Sequence, residues 1–211
     1  LTLEKPSLRE RKKTRTRENL IDISSRLFLE KGFDSTTIDE IVEHAELSQR
    51  TFFRYFPTKE AIIFWDHPRR ANRLKDFLLS SADAIPPFER VKSAMMETAG
   101  DYDLNRERLL TEYRIVTSSK TLIALDIEQD MKLQKSIAAA LRSWKGKPFL
   151  SKRQANLVAG AVFGSIRALM EEWFESGCRQ SIKRMSKDCL RLVDVLSEGF
   201  TTETAGNDNP D

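Results

Sequence analysis

Apolar residues along this chain return every three or four positions. Leu20, Ile21, Leu27 and Phe28 share a face with Ser24, so a first helix is expected from near Arg9 to Lys31, with Gly32 as its stop. Thr37-Ile38-Asp39-Glu40 is a capping-box pattern and predicts a short second helix over 37–44. Ala45-Glu46-Leu47 makes a tight connection to Ser48, a good N-cap for a third helix over about 48–56. Pro57 stops that helix and Thr58 opens a fourth, carrying Ile62, Ile63, Phe64, Leu74, Phe77 and Leu78. Pro68 lies inside this fourth pattern and must kink it or split it. After Pro86-Pro87, helices are expected at about Pro87–Gly100, Asn105–Ser118, Thr121–Lys145, Ser151–Ser176 and Ser181–Phe200. No stretch alternates as a strand does, so the fold class is all-α. A three-helix N-terminal domain is assigned to 1–64, a C-terminal helical bundle to 65–200, and a polar, disordered tail to 201–211.

Composition narrows the class. Hydrophobic residues make up 40% and charged residues 32% of 211, enough for a real core in a soluble, helix-leaning protein. Apolar runs fall short of a membrane span and no stretch has the makeup of a signal peptide, so a cytoplasmic location is expected. Cys178 and Cys189, with His44 and His67, make neither a disulfide framework nor a metal set; no metal and no cofactor are expected. Net charge is only +3, but the first twenty residues hold seven cations against three acids. This arm, Arg9 to Arg17 with Arg15 and Arg17 at its end, is expected to order only against DNA.

Three short helices with a tight turn between the second and third describe a helix-turn-helix. B-DNA's major groove admits one helix, and the third helix offers Ser48, Gln49, Arg50 and Thr51 at its N-terminal end. Gln49 suits adenine and the Thr51 methyl a thymine methyl. Arg50 suits the O6 and N7 of guanine, or a phosphate alone. Tyr55 and Lys59 would reach phosphates, and Thr37 would hold one at the second helix's N-terminus while capping it. Phe33, Ile38, Ile41, Val42, Ala45, Leu47, Phe52 and Phe56 read as the small core that fixes the helix crossing.

Residues 32–41, Gly-Phe-Asp-Ser-Thr-Thr-Ile-Asp-Glu-Ile, and 45–60, Ala-Glu-Leu-Ser-Gln-Arg-Thr-Phe-Phe-Arg-Tyr-Phe-Pro-Thr-Lys-Glu, closely resemble the DNA-binding signature of the TetR family of regulators. The resemblance covers about Leu20 to Ile63. Arg106 to Leu110 and Leu169 to Gly177 are similar to the mycofactocin-regulator-type branch. Many members carry Tyr where this chain has Phe53, which then packs or stacks on a sugar; Arg54 either compensates or points to solvent.

The resemblance implies a ligand-responsive regulator, repression being the commoner outcome, that binds a pseudo-palindromic operator as a homodimer. It also implies that the last two long helices pair with their copies. Leu192 and Leu196 on one helix, and Leu157, Ala161 and Gly164 on the other, sit at suitable spacings. An unidentified small-molecule effector would lie among the middle helices, with Met95, Met96, Tyr102, Leu110, Tyr113, Val116, Ile127, Met131, Phe163 and Arg167 as candidate lining. Two rivals come from other classes. A carboxylate-based helical enzyme would use Asp101, Asp103, Glu107 and Glu112, or Asp126, Glu128 and Asp130, yet none stands in a Glu-x-x-His pattern and no nucleophile motif accompanies them. A protein-binding helical adaptor would leave Gln49-Arg50-Thr51 without a purpose. No enzyme is expected.

Overall fold

The computed structural model describes residues 7–80 and 84–205. The described chain is helical apart from one two-residue hairpin. In order it runs α1 (Leu8–Lys31), α2 (Ile38–His44), α3 (Gln49–Tyr55), α4 (Glu60–Ile63), α5 (His67–Ser80), α6 (Pro87–Leu104), α7 (Arg106–Thr117) and α8 (Lys120–Ala140). It continues through β1 (Ser143–Trp144) and β2 (Lys147–Pro148), then α9 (Lys152–Glu175), α10 (Ile182–Met185) and α11 (Lys187–Ala205). These helices form two compact units: one up to Pro68 together with Thr111–Asp126, the other Arg69–Leu110 with the chain from Ile127 onward.

Three departures from the sequence reading have clear causes, and one open alternative is resolved. The segment expected to order only on DNA is already helical, because Ser7 and Glu10 close a capping box at its start. Of the two outcomes expected at Pro68, the structure shows the split and not the kink. The proline sits at the second position of α5, where its missing N–H costs nothing, and α4 ends separately at Ile63. The helix expected to reach Lys145 stops at Ala140, since Lys145 (φ +51°) and Gly146 (φ +71°) turn the chain back into an antiparallel pair, Trp144 opposite Lys147. The tail expected to be disordered from residue 201 is helical to Ala205; residues 206–211 lie outside the described part.

The first unit's core gathers Leu20, Leu27 and Phe28 of α1 with Phe33, Ile41, Val42, Phe52, Phe56, Ile62 and Ile63. Ile115, Val116 and Leu122, from the corner between α7 and α8, complete it. Ser119 at that corner donates to Asp34 Oδ1 (3.0 Å), and His67 Nε2 lies 2.6 Å from Glu112 Oε1. Helical spacing within the first sixty residues carried no hint of these distant contributors.

In the second unit, Val91, Ala94, Ile137, Leu141, Val158, Val162 and Val193 form the core. Arg90 is 1% exposed and donates to the carbonyls of Leu78 (2.9 Å), Ala140 (2.8 Å) and Ser143 (3.2 Å), so one guanidinium ties the ends of α5 and α8 to the hairpin. Trp173 is fully buried and donates Nε1–H to the Gln180 carbonyl at 2.8 Å.

Candidate nucleic-acid interface

The helix-turn-helix is built from caps and a local core. Thr37 and Glu40 close a reciprocal capping box on α2, and Ser48 Oγ accepts from the Thr51 amide at the head of α3. Each such cap contributes about 1 kcal/mol. Between them the chain turns through Glu46 at φ +53°, with Leu47 N–H bonded to the Val42 carbonyl at 2.9 Å. Below, Phe52 (0% exposed) packs on Phe56 with ring centroids 5.9 Å apart. Phe33, Ile41, Val42, Ala45, Phe52 and Phe56 are buried and Ile38 and Leu47 pack on them, as the sequence reading required.

With α3 thus held, Ser48, Gln49, Arg50, Phe53 and Arg54 face solvent. Among them Arg50 has no hydrogen bond or ion pair within the described residues. Gln49 donates Nε2–H to Asp39 Oδ1 of α2, and the Thr51 hydroxyl pairs with Ser48 Oγ at 3.0 Å. Phe53 is 48% exposed and meets Phe52 edge-on at 5.5 Å, so its ring is partly packed and partly available. The Arg54 guanidinium lies 5.3 Å from the Tyr55 ring centre, and Tyr55 itself is half-buried against the core.

Several expected phosphate contacts are otherwise engaged. Lys59 turns inward: Nζ donates to the carbonyls of Phe33 and Thr36, both at 2.8 Å, and stands 4.2 Å from the Phe33 ring centre. It clamps the loop before α2 instead of reaching out. At Thr37, the amide and hydroxyl both donate to Glu40 Oε2 (2.9 and 3.2 Å). An anion therefore already occupies this helix start. Lys31 (2.8 Å away) and the Thr37 amide hold the Glu40 carboxyl down at about 2, so it is ionised. Arg17 packs over the rings of Phe56 (5.6 Å) and Trp65 (4.7 Å), with its Nε buried, whereas Arg15 is exposed.

The candidate effector residues divide between the two units: Tyr113 and Val116 belong to the first, the other candidates to the second. Ile127 and Met131 are exposed, at 42% and 52%. Arg167 pairs with Asp130 at 2.9 Å and Glu171 at 3.3 Å on the surface. Met95 and Phe163 pack against the second unit's core, Leu110 and Tyr102 against Trp173, and Met96 Sδ accepts from the Ser186 hydroxyl at 3.5 Å. Tyr102 also lines a cleft between α5 and α6 with Arg70, Arg73, Leu74, Phe77 and Glu97, in which Arg73 pairs with Glu97 and Asp101. On the α5 side of this cleft the sequence marked Leu74 and Phe77 as apolar positions but singled out neither Arg70 nor Arg73.

The expected pairing faces divide. Leu157 (59% exposed), Ala161 and Gly164 lie open on α9. On α11, Leu196 packs into its own unit's core and Leu192 is half-buried, leaving Val195 (64%) as the exposed apolar residue. Five carboxylates of the enzyme reading have other partners: Asp101 binds Arg73, Asp103 accepts from Ser181 and the Ile182 amide, Glu112 meets His67, Glu128 meets Lys132, and Asp130 meets Arg167. No group of three or more potential metal ligands forms among the described residues, and no helix there is long and apolar enough to cross a membrane.

Residues 20–64 match the model for "Bacterial regulatory proteins, tetR family". The chain is 47% identical over 90 residues to the HTH-type transcriptional regulator TcmR of Streptomyces glaucescens, a match covering 43% of this chain and 38% of TcmR. It is 27% identical over 200 residues, 94% of each chain, to MftR of Mycobacterium tuberculosis, a protein named for regulation of mycofactocin biosynthesis. Among solved structures it superimposes on FadR of Thermus thermophilus, a TetR-family repressor crystallised with lauroyl-CoA, with a TM-score of 0.53 at 21% identity over 84% of this chain and 92% of that one. Residues 20–64 thus carry the match to the tetR family of bacterial regulatory proteins, and the chain shares its helical fold with a solved TetR-family repressor.

Proposed function

We propose that the chain is a non-enzymatic, cytoplasmic transcription regulator, a ligand-responsive repressor that binds a pseudo-palindromic operator as a homodimer. The observation that carries the reading is Arg50, exposed and unpartnered at the head of a helix whose other exposed side chains largely have partners of their own. A fork of donors in that position suits guanine O6 and N7. Thr51 contributes its methyl, and Gln49 reads a base only after leaving Asp39.

Charge order on α9 supports the dimer. Its first turn holds Lys152 and Arg153 and no acid; its last turns hold Glu171, Glu172 and Glu175 and no base. Both ends oppose the helix dipole, at about 0.3–1 kcal/mol for each charge. Arg153, Leu157, Ala161, Gly164, Ala168 and Glu175 follow one face. An antiparallel copy would set Arg153 beside Glu175 at both ends and small residues at the centre, the self-complementary pattern that two-fold symmetry demands.

The effector, on this reading, binds in the second unit at the α5–α6 cleft beside Tyr102, where opening the Arg73 pairs with Glu97 and Asp101 would make room. The likeness to MftR across nearly the whole chain supports a regulator of that branch.

The test compares wild type with Arg50→Ala on a selected duplex and its scramble. Loss of about 1–3 kcal/mol on the selected site alone is expected. Equal losses on both duplexes would reduce Arg50 to a phosphate contact.

A further inference from the structure

From Met131 to Met170 the chain carries eight Lys or Arg and not one Asp or Glu. That is +8 on a protein whose total is +3, so everything outside this stretch is net negative. Two of the cations are balanced from beyond it: Lys132 by Glu128 at 2.8 Å, and Arg167 by Asp130 and Glu171. A third, Arg153, lies on the α9 face assigned above to the dimer. Lys135, Arg142, Lys145, Lys147 and Lys152 are exposed and have no ion pair among the described residues.

Arg142, Lys145 and Lys147 sit on a fixed frame, with Lys135 on α8 before it in the chain and Lys152 on α9 after it. Arg90, buried beneath, holds the carbonyls of Ala140 and Ser143 on either side of Arg142. The Phe149 amide closes the hairpin on the Arg142 carbonyl at 2.9 Å. Phe149 packs edge-on against Trp144 (6.3 Å) and Phe88 (6.0 Å), and Lys145 Nζ stands 4.8 Å from the Trp144 ring centre. Lys152 follows in the first turn of α9, where the positive end of the helix adds to the field. Salt screens exposed charges beyond a Debye length of about 8–10 Å, so only nearby acids offset a surface cation. Here the sequence supplies none from the lobe itself, and the backbone that carries Arg142 is pinned.

We propose that this hairpin lobe is a second, sequence-independent contact for the phosphate backbone of duplex DNA. Rigid cations at the spacing of a tight hairpin suit a polyanion, whose condensed counterions are released on contact. An anionic membrane fits less well: Trp144 and Phe149 are both half-buried and packed edge-on, leaving the hairpin no exposed aromatic wedge to enter lipid. The proposal rests on the functional reading only in that the chain meets DNA at all.

The experiment titrates the full chain with a long duplex of arbitrary sequence across a salt series. It uses wild type, a variant with all five cations replaced by Ala, and both again in an Arg50→Ala background. The lobe variant should show a log K against log salt slope shallower by about 0.9 for each phosphate contact removed, up to about 4.5. The same difference should persist with Arg50 gone. An unchanged slope overturns the lobe while leaving the helix-turn-helix reading intact. A slope lost only when Arg50 is present would make the lobe an accessory of α3 and overturn it as an independent contact. Binding to phosphatidylglycerol vesicles that depends on these five residues, with none to DNA, would overturn it in favour of a membrane.

Discussion

Helices α3 and α9 dispose of their side chains in opposite ways. α3 sends Phe52 into its own unit's core and turns Gln49, Arg50 and Arg54 outward. α9 buries Ala155, Val158, Ala159 and Val162 on one side and still leaves Leu157, Ala161 and Gly164 exposed on the other. The first is satisfied by its own chain and presents donors to a polar, anionic partner. The second keeps apolar surface in water and charges set against its dipole, which a facing copy would relieve on the proposed reading. On that reading, a DNA-facing helix and a protein-facing helix are told apart by what each leaves unsatisfied.

The comparison can be broken at several points. Phe52→Ala removes the buried ring under α3 and should cost about 3–5 kcal/mol, measured by denaturant unfolding; a loss below 1 kcal/mol would mean α3 is not held from beneath. Ala161→Glu with Gly164→Glu places like charges at the centre of the proposed pairing face. Gly164 is exposed and nothing lies within 4 Å of a Cβ added there, so the protomer should stay folded while sedimentation changes from dimer to monomer. A dimer surviving this pair of changes would move the interface elsewhere. Ser48→Ala removes the α3 cap and should cost about 1 kcal/mol. Glu46→Gly relieves the left-handed turn between α2 and α3 and should stabilise by about 0.5–1 kcal/mol, visible as a raised Tm.

A smaller effect tests the start of α2. Lys31 and the Thr37 amide hold the Glu40 carboxyl down at about 2 in the folded protein. A depressed folded-state value means the stabilisation is complete above the ordinary carboxylate range near 4.5 and disappears as pH falls toward about 2. Glu40→Gln should therefore flatten the acid limb of the stability profile between those values; an unchanged limb would remove Glu40 from the account.

Much of the first unit was legible because its signals are local. Thr37, Glu40 and Ser48 announce caps within four residues of the amides they serve, and the apolar spacing of Ile41, Phe52 and Phe56 marks one core. What sequence reasoning missed depends on distance. Ile115, Val116 and Leu122 complete that core from far along the chain, and Lys59 reaches back to Phe33 and Thr36 instead of outward to a phosphate. The lining of an effector site was least legible, since Arg167 and Met131 prove to be surface residues once their ion pairs and exposure are known. Helical spacing gives the face a residue occupies, not the partner that waits there.

The central claim is that two copies of α3 read a two-fold-related DNA sequence. Selection of tight binders from a random duplex library by the purified full-length chain tests it most directly. The account predicts an enriched pair of inverted half-sites with centres about one helical turn, or a turn and a half, apart, and loss of enrichment at one position of each half-site with Arg50→Ala. No enriched sequence, or a single unpaired site indifferent to Arg50→Ala, would contradict it.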